Sequence, residues 1–96
     1  SAEADKLRER PAEIIVSVAA DGRYAVNRQA VEGRNVDKLS AALQAAAKDQ
    51  KDPVVIVSAD ATAAHQSVIN VLDAARRAGL PRLTFAAQTG DGSAPR

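Results

Sequence analysis

No cysteine, methionine or tryptophan occurs in the chain, and its aromatics amount to Tyr24 and Phe85. Without cysteine there is no disulfide, no thiolate metal ligand and no thiol nucleophile. Two scattered aromatics exclude the stacking platforms that hold single-stranded bases. Charge of one sign is lacking as well: 13 Lys and Arg against 12 Asp and Glu leave a net charge of +1. A nucleic-acid binder carries a clear basic excess and so does a polybasic membrane anchor, so neither class is expected. The longest strictly apolar run, Val54-Val55-Ile56-Val57, falls far short of the ~20 residues that span a bilayer. No signal peptide is expected within it. The chain opens on Ser1-Ala2 rather than Met, and is expected to be a piece of a longer one.

What is present suits one small domain. The chain has 96 residues, 46% hydrophobic and 26% charged, within the range of a single globular unit with a modest core. That core must come from Ala, Val, Ile and Leu, and no internal repeat is seen. Residues 1–12 are rich in charge and end near Pro11, which reads as a linker. Residues 89–96 (Thr-Gly-Asp-Gly-Ser-Ala-Pro-Arg) have a disordered composition. The folded body is expected at 13–88.

Residues 13–19 read as a strand, followed by Asp21-Gly22 and Tyr24-Ala25-Val26, a hairpin signal. Parity fixes the loop. A two-residue loop pairs Val18 with Ala25 and Val16 with Asn27, mixing polar and apolar side chains on one face. A three-residue loop at Ala20-Asp21-Gly22 pairs Val18 with Tyr24 and Val16 with Val26. It collects Ile14, Val16, Val18, Tyr24 and Val26 on one face and puts Gly22 at the left-handed position of a bulged turn. The second register is predicted, because a one-residue slip would turn the apolar set to water.

Residues 29–31 form a candidate short strand. Asn35 is the predicted N-cap of a helix over 36–48, with Val36, Leu39, Leu43, Ala46 and Ala47 as its apolar stripe. Pro53 opens a central strand over 54–58, apolar on both faces. Thr62 is the predicted cap of a second helix over 63–78, with Val68, Ile69, Leu72 and Ala75 inward and Gly79 as its left-handed stop. Arg76 and Arg77 suit the negative end of that helix. Residues 83–87 are the last strand. Strand, helix and strand make a crossover unit, and the fold class expected is an α/β (α+β) two-layer sandwich: a small mixed sheet with an N-terminal hairpin and two helices on one face.

No catalytic set converges. Asp60 follows a central strand, where open α/β sheets bind ligands, but no partner group converges on it in sequence, and a hydrogen bond to its own loop or to the start of the second helix is the favoured reading. Residues 59–62 lack the glycines and lysine of a phosphate loop. His65 is the only histidine, near a helix start. It cannot build a metal site of His or Cys alone, and no catalytic, cofactor or metal residue is assigned. Ser17, Ser58 and Ser67 sit outside any nucleophile elbow. A small sheet must, however, leave edge strands, which template pairing with another chain. A binding module is therefore favoured over an enzyme.

Around the second helix the sequence resembles a known family. Ala59-Asp60, His65-Gln66-Ser67-Val68-Ile69-Asn70-Val71-Leu72-Asp73, Ala78-Gly79-Leu80 and Leu83-Thr84-Phe85-Ala86 are similar to the periplasmic domain of the ExbD/TolR family. Its members show an apolar strand ending in Ala-Asp, an aromatic a few residues on, a Val/Ile-rich helix with an acidic or amide residue, an Ala-Gly stop and a final strand. The resemblance covers residues 12–88 and includes the hairpin and the helix at Val36. Asp60, His65, Asp73 and Gly79 stand at motif positions read as structural. His65 replaces the usual Tyr, which leaves any role of that phenol unfilled. His65-Gln66-Ser67 and Phe85-Ala86-Ala87-Gln88 are closer to ExbD than to TolR. The resemblance implies a single-pass inner-membrane protein with a periplasmic domain, working with an ExbB or TolQ pentamer in a proton-driven motor. Its proton-carrying Asp would lie in a transmembrane helix upstream. The partners implied are TonB, ExbB and a second copy, or peptidoglycan for a TolR-type domain. A stand-alone small α/β ligand-binding domain is the alternative from another class.

Partner docking is expected by strand addition at a sheet edge. The two candidate segments are Glu13, Ile14, Ile15, Val16, Ser17 and Val18, after the linker, and Thr84, Phe85, Ala86, Ala87 and Gln88, before the tail. Proline at Ile15, Ser17, Thr84 or Ala86 is the expected probe for an outward N–H. The fallback is a helix-face contact through Arg76 and Arg77.

Overall fold

The computed structural model describes residues 11–86. Residues 1–10 of the expected linker at 1–12 and the expected tail at 89–96, with Ala87 and Gln88, lie outside the described residues. Seven elements follow in order: β1 (Glu13–Val18), β2 (Tyr24–Val26), β3 (Gln29–Ala30), α1 (Val36–Ala47), β4 (Val54–Ala59), α2 (His65–Arg77) and β5 (Leu83–Phe85).

Alternation along β1 sets the architecture. Ile14, Val16 and Val18 are buried while Glu13, Ile15 and Ser17 are exposed, as a sheet with one covered face requires. The hairpin has the predicted register, Val16 opposite Val26 and Val18 opposite Tyr24. Ala19 closes the loop by donating its N–H to the Arg23 carbonyl at 2.9 Å. Gly22 has φ +90°, and Arg34 Cδ and Ser67 Oγ lie 3.2 Å from where a side-chain carbon would sit. The glycine is needed there for its backbone and for the space. The Tyr24 hydroxyl donates to the Ser67 carbonyl at 2.8 Å, which ties the hairpin to α2.

β2 and β3 are joined by Asn27-Arg28, both at positive φ (50° and 72°), as a two-residue primed turn demands. Asn27 Oδ1 accepts the Ile15 N–H at 2.9 Å, prolonging the ladder past the end of β2. Asn35 caps α1 as predicted, its Oδ1 accepting the Lys38 N–H at 3.1 Å.

The five-stranded sheet has the order β3-β2-β1-β4-β5. β1 pairs antiparallel with β2 and parallel with β4, and β4 pairs parallel with β5. This corrects one expectation. β1 is hydrogen-bonded on both sides, so residues 13–18 offer no edge. One core collects Ile14, Val16, Val18, Tyr24, Val55 and Val57 from the sheet with Leu39 and Leu43 of α1 and Val71, Ala74 and Ala75 of α2. Both helices therefore cover one face, giving a two-layer sandwich.

α2 departs from expectation at its start and in its phase. Its N-cap is Ala64, with no side-chain cap. Thr62 instead gives its N–H and hydroxyl to Asp60 Oδ1, at 2.8 and 2.6 Å. The buried stripe is Val71, Ala74 and Ala75, while Ile69 is exposed and Val68 and Leu72 only half-buried. The end is as predicted. Gly79 has φ +77°, its N–H donates to the Arg76 carbonyl, and the Leu80 N–H donates to that of Ala75. That pair of bonds is a Schellman motif, closed by the buried Leu80. Gly79→Val is expected to cost about 1–2 kcal/mol through the left-handed backbone alone, since nothing lies within 4 Å of the added carbon. A denaturant melt unchanged from the parent would contradict it.

Candidate partner-binding edge

Alternation along β5 decides which main-chain groups face outward. The Ala86 N–H donates to the Val57 carbonyl and the Arg82 carbonyl accepts from the Val55 N–H, both at 2.9 Å. Residues two apart in a strand point the same way, so Arg82, Thr84 and Ala86 turn their main-chain groups to β4. Leu83 and Phe85 turn theirs away from the sheet. The expected outward N–H groups at Thr84 and Ala86 are thus corrected: the C-terminal segment does form an edge, but its free donors are one residue out of phase. Ile15 is corrected likewise, because its N–H is held by Asn27 Oδ1.

Side chains at the edge follow from the register. Leu83 pairs with Val55 and Phe85 with Val57, so both lie on the helix side of the sheet, while Thr84, opposite Ile56, lies on the open side. Among the described elements β5 pairs with β4 alone; Leu83 is half-buried against the core, and Phe85 lies past that cover. Phe85 is consequently 57% exposed. Leu72, Arg76, Gly79, Leu80, Pro81 and Leu83 line a groove at the Leu83 end of β5. Ile69, Leu72 and Arg76 share one flank of α2 by helical spacing. The sequence carried a signal for this flank, the apolar pair Ile69 and Leu72, but that pair also fits an inward stripe.

The far edge, β3, is only two residues long, too short to template much pairing. Of the remaining candidate residues, Asp60 and Asp73 hold local hydrogen bonds and ion pairs. Asp60 is exposed, and the two hydrogen bonds from Thr62 hold its carboxyl below its ordinary pKa. The bracing they give is present at neutral pH and is lost as pH falls through that lowered value. His65 is the exposed first residue of α2. Asp73, half-buried, takes Arg76 at 2.7 Å and Arg77 at 3.1 Å, and Arg77 also reaches Asp37 at 2.8 Å. A depression at the carboxyl ends of β1 and β4 contains Arg23 and Asp60, but Arg23 is engaged by Asp21 at 3.2 Å and Asp60 by Thr62. Among the described residues no group of three or more His, Asp or Glu side chains could hold a metal, and no helix is long and apolar enough to cross a membrane. What the arrangement offers is main-chain pairing beside an apolar shelf.

The family model described as biopolymer transport protein ExbD/TolR matches residues 1–90. No curated protein matches the chain.

Proposed function

The chain belongs to the ExbD/TolR family of biopolymer transport proteins, and from that premise we propose that it is the periplasmic domain of an ExbD-type motor component. Members of the family are membrane-anchored transport and energy-coupling proteins with a periplasmic domain, not known enzymes. In this reading an upstream transmembrane helix places the full-length protein in the bacterial inner membrane. That helix meets ExbB and carries the proton-bearing Asp, a role given to no acidic residue here. The folded domain binds TonB and passes the energy of the proton motive force to outer-membrane transport. A second copy completes the working unit.

The observation that carries the reading is the β5 edge, with its outward main-chain groups at Leu83 and Phe85 and the half-open apolar shelf beside them. A docked strand gains main-chain hydrogen bonds and shallow side-chain pockets. With Phe85 as the sole aromatic on that edge, affinity is weak and exchange fast, as a motor that grips and releases needs. The ExbD branch is favoured by His65-Gln66-Ser67 and by the ending after Phe85.

The test is titration of the isotope-labelled protein with peptides from the periplasmic region of TonB. Chemical-shift changes centred on Leu83 and Phe85 are expected. Silence in that titration, together with co-sedimentation with peptidoglycan, would replace this reading by a TolR-type domain of the Tol–Pal system.

A further inference from the structure

The groove beside β5 has a direction. β4 and β5 are parallel and α2 connects them, so α2 runs against β5. Arg76 therefore stands at the Leu83 end of β5, and the flank continues through Leu72 to Ile69 toward the Phe85 end. Of the lining residues only Arg76 is charged. Its side chain is 75% exposed, and its partner Asp73 is shared with Arg77. Arg76 can turn to a carboxylate on an incoming chain while Asp73 keeps an ion pair.

Resting on the reading that β5 accepts a strand, we propose that the accepted strand belongs to another polypeptide, runs antiparallel to β5 and carries the pattern apolar-x-apolar-x-acidic. The outward N–H and C=O groups of Leu83 and Phe85 require an extended backbone, since a helix or an acyl chain leaves them unmatched. The antiparallel ladder is the more stable per residue. Alternate side chains of the added strand face the helix side. In this direction they meet Phe85, then Leu83, then Arg76. A second copy would bring its own Leu83 and Phe85 to that side, and residues 83–88 hold no carboxylate for Arg76.

The probe is a blocked peptide, Ser-Val-Thr-Val-Thr-Glu-Ser, beside a form with Lys in place of Glu. The Glu form is expected to shift the amide signals of Leu83 and Phe85 and to bind about threefold more tightly, the worth of an exposed ion pair. In Arg76→Gln both forms bind and the difference disappears. Equal affinities in the parent protein overturn the acidic preference while leaving strand addition intact. No shift at Leu83 and Phe85 with either peptide removes the edge reading itself, and this proposal with it. Shifts there that grow with protein concentration alone put a second copy on the edge and overturn the proposal.

Discussion

Val16→Asp is expected to abolish cooperative folding, whereas Ser17→Asp, one residue along the same strand, leaves the domain folded. Val16 has no exposed surface and sits in the middle of the sheet, opposite Val26 on one side and Val57 on the other. A carboxylate there is buried among aliphatic side chains with no cation or donor to meet it. Its effective penalty is several kcal/mol, set against a total stability of roughly 5–15 kcal/mol for a native domain. Protonation of the Asp reduces that cost but leaves an unsatisfied polar group. Ser17 lies on the open face, opposite Ala25 and Ser58, and its replacement should cost less than about 1 kcal/mol, the usual scale for a surface site. Far-ultraviolet circular dichroism through a urea series reads both. Comparable losses in the two variants would contradict the one-sided burial of β1.

The same alternation explains why the hairpin was legible. Only one register gathers the five apolar side chains of β1 and β2 on one face, and Gly22 follows as the residue that can take the left-handed turn. Asn35 and Gly79 were legible for a related reason: each does a local job, capping or stopping, that few residues can do. Strand order was not legible. The pattern of Glu13, Ile15 and Ser17 facing water reports that one face of the sheet is open, and it reads the same for an edge strand and a central one. Only the parallel pairing with β4 puts β1 inside, and nothing local to either strand encodes it.

The phase of α2 failed because apolar residues occupy both flanks. Val71, Ala74 and Ala75 form one stripe, and Ile69, Leu72 and Arg76 the next. The first is selected by packing against Leu39 and Leu43 of α1, a long-range contact. The second is left over, and its Leu72 and Arg76 line the groove at the start of β5. Thr62 failed as a cap because Asp60, two residues earlier, already holds its hydroxyl and its N–H. The site residues missed from sequence, Leu83, Leu72 and Ile69, are thus those whose exposure depends on where the helices stop covering the sheet.

Proline scanning along β5 should separate fold from function by parity. Phe85→Pro removes an N–H that faces away from the sheet, so no internal hydrogen bond is lost, and proline is tolerated on such an edge. Binding of a TonB peptide should fall below detection, because the added ladder loses a donor and the ring fills the space where the partner's carbonyl would lie. Phe85→Ala controls for the side chain and should retain measurable binding through the main chain. Ala86→Pro acts on the opposite side. Its N–H donates to the Val57 carbonyl at 2.9 Å, and the buried acceptor is left without its donor at a cost of about 1–3 kcal/mol. Thr84→Pro should behave like Ala86→Pro, by alternation. The measurements are a denaturant midpoint and a peptide titration on each variant. The expected pattern is reciprocal: lost binding with kept stability at Phe85, lost stability at Thr84 and Ala86. A Phe85→Pro protein that is folded and binds like the parent would rule out strand addition at this edge, and the exposed guanidinium of Arg76 on the α2 flank would then become the contact to test.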